Sequence, residues 1–212
     1  MIRENRDFTL YLVTDRRWLG ERTLWDSVEE AILGGVTLVQ LREKEVSSKE
    51  FLELAQRVKE VTGRHGIPLI INDRIDIALA MNAEGVHLGP EDLTVPLARK
   101  LLGRGKIIGA SAASLDEALL FQAQGADYLG VGAVFPTVTK QGTDKVGLDD
   151  LRAIKAAVHI PVVAIGGINA ANATPVMATG VDGVAVVSAI MAQTDIRDAV
   201  QGLLSLLKGT MR

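Results

Sequence analysis

Val162-Val163-Ala164-Ile165-Gly166-Gly167 sets the pattern for the whole chain. A short apolar run stopped by glycines reads as a buried strand followed by a tight turn. Seven more runs share this form. Leu10-Tyr11-Leu12-Val13 ends in Thr14-Asp15, and Thr37-Leu38-Val39 runs into Gln40-Leu41-Arg42-Glu43-Lys44. Pro68-Leu69-Ile70-Ile71 ends in Asn72-Asp73, and Val86-His87-Leu88 leads to Glu91-Asp92. Ile107-Ile108-Gly109-Ala110 ends at Ser111. Tyr128-Leu129-Gly130-Val131-Gly132 leads to Thr137, Thr139 and Lys140, and Val184-Ala185-Val186-Val187 ends at Ser188. The C-terminal ends of the runs carry polar or glycine-rich residues, whereas the N-terminal ends carry mostly plain glycine turns.

Helical patterns fill the gaps. Phe51, Leu54, Ala55, Val58 and Thr62 share one helix face, as do Leu148, Leu151, Ile154 and Val158. Ser47-Ser48-Lys49-Glu50 and Ser114-Leu115-Asp116-Glu117 read as capping boxes. A weak repeat marks the helix-to-strand turns: Gly35-Val36-Thr37, Gly125-Ala126-Asp127 and Gly180-Val181-Asp182. Strand and helix in strict alternation predict a parallel sheet. Eight such units without a dinucleotide fingerprint predict a closed (β/α)8 barrel rather than an open doubly wound sheet. That fold places its site on the loops after the strands, where the polar residues lie.

The 212 residues fit one domain spanning residues 1–212. The absence of cysteine excludes disulfides and thiolate metal sites and suits a reducing cytoplasm. The charged start Met1-Ile2-Arg3-Glu4-Asn5-Arg6-Asp7 lacks the apolar stretch of a signal peptide. The longest apolar region, Ala156 to Ile168, is interrupted by His159, Pro161 and the two glycines, so no membrane span is expected. A net charge of -3 argues against a nucleic-acid partner.

Gly166-Gly167 and Val187-Ser188 end strands seven and eight, whose loops commonly form a phosphate cup in this fold. Alternation past strand two puts Gln40, Arg42 and Lys44 on one side, where a guanidinium fork and an ammonium suit phosphate oxygens. A solvated charged loop is the competing reading. Asn72-Asp73 and Asp92 follow neighbouring strands and suit a hard cation such as Mg²⁺, although the same residues make ordinary turns and caps. Asp15 fits a general acid or an Asx turn equally. His65, His87 and His159 are scattered, and His87 reads as a strand histidine with its bonds satisfied. The cup and the charged cluster should face each other across the barrel mouth, giving a site for two separate anions.

In order along the chain, Gln40-Leu41-Arg42-Glu43-Lys44, Asn72-Asp73, Gly109-Ala110-Ser111, Phe135-Pro136-Thr137-Val138-Thr139-Lys140, Ile165-Gly166-Gly167-Ile168 and Val187-Ser188 resemble the thiamine-phosphate synthase family. The resemblance implies condensation of a hydroxymethylpyrimidine diphosphate with a thiazole phosphate, releasing pyrophosphate. It implies that Gln40, Leu41, Arg42, Glu43, Lys44, Asn72, Ser111 and Lys140 hold the pyrimidine diphosphate. It implies Asp73 and Asp92 as Mg²⁺ ligands, and Thr137, Val138, Thr139, Gly167, Val187 and Ser188 as the thiazole-phosphate site. The chain departs from the usual pattern at Ala112-Ala113 and at Pro90. A thiazole tautomerase-type barrel, a sugar-phosphate isomerase and a non-catalytic phosphate-binding barrel are the rivals. The first would not need Arg42, Lys44, Asp73, Asp92 and Lys140 together. The second would want an acid–base pair for which only Asp15 is a candidate, and the third stays open to an assay for pyrophosphate release.

Overall fold

The computed structural model describes residues 6–137 and 145–210. Eight strands, β1 (Leu10–Val13), β2 (Leu38–Leu41), β3 (Leu69–Asn72), β4 (Gly85–Leu88), β5 (Ile107–Ala112), β6 (Tyr128–Val131), β7 (Val162–Ile165) and β8 (Gly183–Val186), pair in parallel in chain order. β8 returns to β1, Val186 opposite Leu12, and closes the barrel. Around it lie α1 (Leu24–Gly34), α2 (Ser48–Arg64), α3 (Ile75–Ala80), α4 (Val95–Leu102), α5 (Leu115–Ala123), α6 (Leu148–Ala157), α7 (Ala173–Met177), the short α8 (Ser188–Met191) and α9 (Ile196–Thr210). Every predicted run became a strand.

Alternation divides the apolar residues between two compartments. Leu10, Leu12, Val39, Leu41, Leu69 and Ile71 point outward into the layer beneath the helices. Tyr11, Val13, Leu38, Ile70, Tyr128, Val163 and Ala185 point inward and fill the barrel with Phe8 and Ile107. Both predicted capping boxes form only their first half. Ser47 and Ser114 accept from the N–H of Glu50 and Glu117, each at 3.2 Å. The Glu50 carboxylate turns instead to Arg16, and that of Glu117 to the N–H of Ala113.

The glycine repeat seen in the sequence has a structural purpose. The residue two positions after each left-handed turn clamps the start of the preceding strand. Asp182 donates its N–H to the Val162 carbonyl at 2.9 Å, and its carboxylate accepts from the Val162 N–H at 2.7 Å. Asp127 does the same to Ile108 (2.7 and 2.8 Å) and Thr37 to Leu10 (3.0 and 3.1 Å). A fourth copy, at Glu84 and Leu69 (3.0 and 2.9 Å), escapes the sequence pattern. There Asn82, with φ of 49°, takes the place held by Gly35, Gly125 and Gly180, because asparagine tolerates that conformation. Each acidic clamp is itself held by a cation from the helix that leads into the strand it grips: Lys59 of α2 on Glu84, Arg99 of α4 on Asp127 and Lys155 of α6 on Asp182.

Asp182→Ala should destabilise the protein by about 1–3 kcal/mol, the cost of leaving a buried N–H unpaired. Asp182→Asn keeps an acceptor and should cost less. Thermal unfolding of both variants checks the ordering.

Candidate active site

A cavity of about 540 Å³ opens at the C-terminal mouth of the barrel. Its size suits a small-molecule site. Gln40, Arg42 and Lys44 line it, as the alternation past β2 predicts. Asn72, Asp73, Asp92 and Ser111 line it from β3, β4 and β5, and Thr137, Gly167, Val187 and Ser188 from β6, β7 and β8. Closure in chain order sets the first group across the mouth from the second. Val138, Thr139 and Lys140 lie outside the described residues.

Leu41 and Glu43 do not line the cavity. Leu41 is the outward residue of β2, fully buried against the helices. Glu43 has a side chain only 6% exposed and bonds Arg16 at 3.0 Å, while Arg16 also reaches Glu50 on α2. Burial raises the Glu43 carboxyl above its ordinary range, against the opposing pull of Arg16. This pairing ties the loop of Arg42 and Lys44 to the first turn of α2. Asp15 caps the short turn Arg16–Trp18, and its carboxylate grips Arg17, so its Asx-turn reading holds.

On the side of β2, β3 and β4 the charges are already matched. Lys44 forms an ion pair with Asp73. Asp73 has φ of 63°, a left-handed conformation that aspartate tolerates, and its N–H is held by the His87 carbonyl at 2.9 Å. Asp73 and Asp92 lie close enough for each to influence the other's ionisation. Burial and the neighbouring Asp73 push Asp92 up to about 6. Burial opposes ionisation of Asp73 too, yet its bond to Lys44 leaves it below the ordinary range. Asp92 also accepts from the Gly89 N–H at 2.6 Å. The Asn72 amide nitrogen is buried at the cavity wall without a hydrogen-bond partner among the described residues.

Opposite, Gly166 and Gly167 have φ of 102° and 63°. A Cβ on Gly167 would stand 2.6 Å from the Pro136 carbonyl oxygen. Glycine is therefore needed both for the turn and for the close approach of the loop after β6. Asn172 ties the Gly167 carbonyl back at 3.0 Å. α7 and α8 span only five and four residues, so any anion here relies on loop amides more than on a helix dipole.

The floor carries residues that the sequence analysis did not assign to the site: Tyr11, His87 and Tyr128. His87 bonds the Tyr128 hydroxyl and Ser111 Oγ, both at 2.9 Å, so it is satisfied as expected but faces the cavity. Tyr11 and Tyr128 are fully enclosed, and burial raises both phenols above their ordinary range, so both stay protonated at neutral pH. Strand parity would have found all three, since Tyr11, His87 and Tyr128 share inward positions with recognised site residues.

A cationic and acidic cluster set against a glycine cup at the mouth of such a barrel suits phosphorylated small molecules. Residues 10–190 match the thiamine monophosphate synthase family. The thiamine-phosphate synthase of Clostridium tetani is 54% identical over 96% of this chain and 97% of its own. That of Clostridium acetobutylicum is 55% identical over 97% of each. Thiamine phosphate pyrophosphorylase from Pyrococcus furiosus superposes with a TM-score of 0.89 at 42% identity, covering 98% of each chain. The chain belongs to the thiamine monophosphate synthase family. A geranylgeranylglyceryl phosphate synthase at 16% identity, TM-score 0.71, shares the fold alone.

Arg16→Ala would strand the Glu43 carboxylate. The expected loss is about 1–3 kcal/mol of stability at neutral pH. Glu43 has its pKa raised in the folded state, so the folded protein binds the extra proton. The loss should therefore shrink as the pH falls into mild acid, where a protonated Glu43 needs no cation. Adding Glu43→Gln should recover part of the stability. Thermal unfolding across pH measures both effects.

Proposed function

We propose that the protein makes thiamine phosphate by condensing 4-amino-2-methyl-5-pyrimidinylmethyl diphosphate with 4-methyl-5-(2-phosphoethyl)thiazole, releasing pyrophosphate. One observation carries the assignment of roles. A single cavity is lined on one side by Gln40, Arg42, Lys44, Asn72 and Ser111, and on the other by Gly167 and Ser188. Two phosphorylated substrates therefore meet in one space, each with its own anion-holding wall.

The bond from the pyrimidine methylene to the diphosphate oxygen breaks, and its electron pair leaves with pyrophosphate. The electron-rich aminopyrimidine delocalises the resulting cation. The thiazole nitrogen then donates its lone pair and forms the new C–N bond. No protein nucleophile is needed. Arg42 and Lys44 stabilise the departing charge, with Lys140 joining them on the grounds of sequence. The unpartnered Asn72 amide nitrogen supplies a donor for a substrate acceptor. The glycine cup holds the thiazole phosphate so that its nitrogen faces the methylene, turning an encounter into a positioned step.

Asp73 and Asp92 fit a hard divalent cation. They are two adjoining carboxylates, and Asp73 makes ionisation of Asp92 harder, a repulsion that a bound cation would offset. Among the described residues no cluster of three or more His, Cys, Asp or Glu could hold a metal alone. The pair therefore suits Mg²⁺, which commonly takes one or two carboxylates and completes its shell with substrate phosphates and water. When bound there, Mg²⁺ would neutralise leaving-group charge. Among the described residues no helix is long and apolar enough to cross a membrane. The reading places the enzyme in the cytoplasm, since charged phosphorylated substrates do not cross a bilayer unaided.

Purified protein should release pyrophosphate only when both precursors and Mg²⁺ are supplied. Equal release without the thiazole phosphate would point to a diphosphatase, and no release at all to a binding barrel. Asp92→Asn should shift the Mg²⁺ dependence of turnover to higher concentration while leaving thermal unfolding nearly unchanged. An unaltered Mg²⁺ titration removes Asp92 from the metal site.

A further inference from the structure

A hydrogen-bonded chain crosses the floor of the cavity from β2 to β5. Gln40 Nε2 donates to the Tyr11 hydroxyl at 2.8 Å. Tyr11 and Tyr128 hydroxyls meet at 2.9 Å. The Tyr128 hydroxyl meets His87 Nδ1, and His87 Nε2 meets Ser111 Oγ, both at 2.9 Å. The fold makes room for this chain at some cost in side chains. A Cβ on Gly109 would overlap the Tyr128 ring, and one on Gly130 would lie 2.9 Å from His87 Cε1. Tyr128 also packs against Phe8, with ring centroids 5.0 Å apart.

Each phenol has one hydrogen, and each is fully buried, so that hydrogen must go to one of its two partners. Tyr11 accepts from Gln40, so it donates to Tyr128. Tyr128 therefore donates to His87 Nδ1, which must be unprotonated. The imidazole carries its proton on Nε2 and donates to Ser111 Oγ. The Ser111 hydrogen is left for an acceptor in the cavity, and the Gln40 carbonyl oxygen is left as an acceptor. Turning the Gln40 amide over would reverse every bond, making Gln40 a donor to the cavity and Ser111 an acceptor. The two ends cannot change independently.

We infer that Tyr11, Tyr128 and His87 are positioning residues that lock Gln40 and Ser111 into opposite polarity, an acceptor at β2 and a donor at β5. The inference rests on the reading that this wall takes the aminopyrimidine diphosphate. That substrate offers the matching groups: an exocyclic amine that donates, and ring nitrogens and phosphate oxygens that accept. The reversed polarity would set an amide donor and a serine acceptor against them. A chain fixed before binding removes this choice, so less ordering is left for the substrate to impose. It also makes His87 a specificity determinant for the pyrimidine, although the ring need not touch it.

Tyr128→Phe keeps the ring and removes the middle hydroxyl. It should raise KM for the pyrimidine diphosphate on the order of tenfold, the scale of a hydrogen bond to a charged or strongly polar group. KM for the thiazole phosphate, held across the mouth, should stay unchanged. In a Ser111→Ala background the same substitution should have a smaller effect, because one of its two routes to the substrate, the one through His87, is gone while the one through Tyr11 and Gln40 remains. His87→Gln, which can place an N–H near Nε2, should retain more affinity than His87→Ala. Nitrogen NMR of ¹⁵N-histidine-labelled protein, with His87 assigned by difference from His87→Gln, should show the Nε2–H tautomer in the wild type. That spectrum needs no turnover, so an inactive protein with the expected tautomer would sink the reaction while sparing the polarity. An active enzyme with the Nδ1–H tautomer, or with full additivity of Tyr128→Phe and Ser111→Ala, would overturn the inference.

Discussion

A parallel sheet has no hairpins, so nothing local sets the register of one strand against the next. In this barrel the register is set at the strand starts. Thr37, Glu84, Asp127 and Asp182 each grip the preceding strand through both a backbone and a side-chain bond. A slip of one residue would exchange the inward and outward sets along a strand. Tyr11, His87 and Tyr128 would then leave the cavity floor, and Leu41 would enter the mouth. The clamps lie at the end opposite the chemistry, so the site inherits its geometry from bonds that never touch substrate.

The interior of the barrel balances filling against polarity. Its lower part is closed by Leu38, Ile70, Ile107 and Val163. Above them the packing changes to a layer of hydrogen-bonding groups. Two large side chains, Tyr128 and His87, fit there because Gly109 and Gly130 present none. The hydroxyls of Tyr11 and Tyr128 and both nitrogens of His87 are paired within that layer, as burial demands. Such a layer is stiff, and it supplies a floor on which polar ligands can sit without displacing an apolar core.

At the rim the charges are prepared for an anion but do not collapse onto one another completely. Lys44 is occupied by Asp73, and burial beside Asp73 makes Asp92 harder to ionise than an ordinary carboxyl. Arg42 makes no ion pair among the described residues, and its N–H is fixed by Thr14 Oγ1 at 3.1 Å. Glu43, which looks from its place in the loop like another ligand, instead serves the loop through Arg16. Pro90, Ala112 and Ala113, where the chain departs from the usual pattern, line the cavity together with Arg42, Lys44, Asp73 and Asp92.

The sequence by itself determined the architecture and the sides of the molecule. Eight apolar runs with polar C-terminal ends are enough, because strand periodicity and the direction of a parallel barrel leave one mouth for chemistry. The glycine repeat was legible, although its fourth copy at Asn82 was hidden by a residue that does glycine's work. Ordered motifs were enough to reach the family and the two anion walls. Alternation past β2 was also enough to put Gln40, Arg42 and Lys44 on the cavity side. Tertiary structure alone decided that Glu43 turns away to Arg16, since a buried carboxylate takes whatever cation packing brings. It also decided the role of Tyr11, His87 and Tyr128. Each is an unremarkable strand residue in sequence, separated from its partners by dozens of positions. Their meaning lies in a chain of hydrogen bonds that exists only after the sheet has closed on itself.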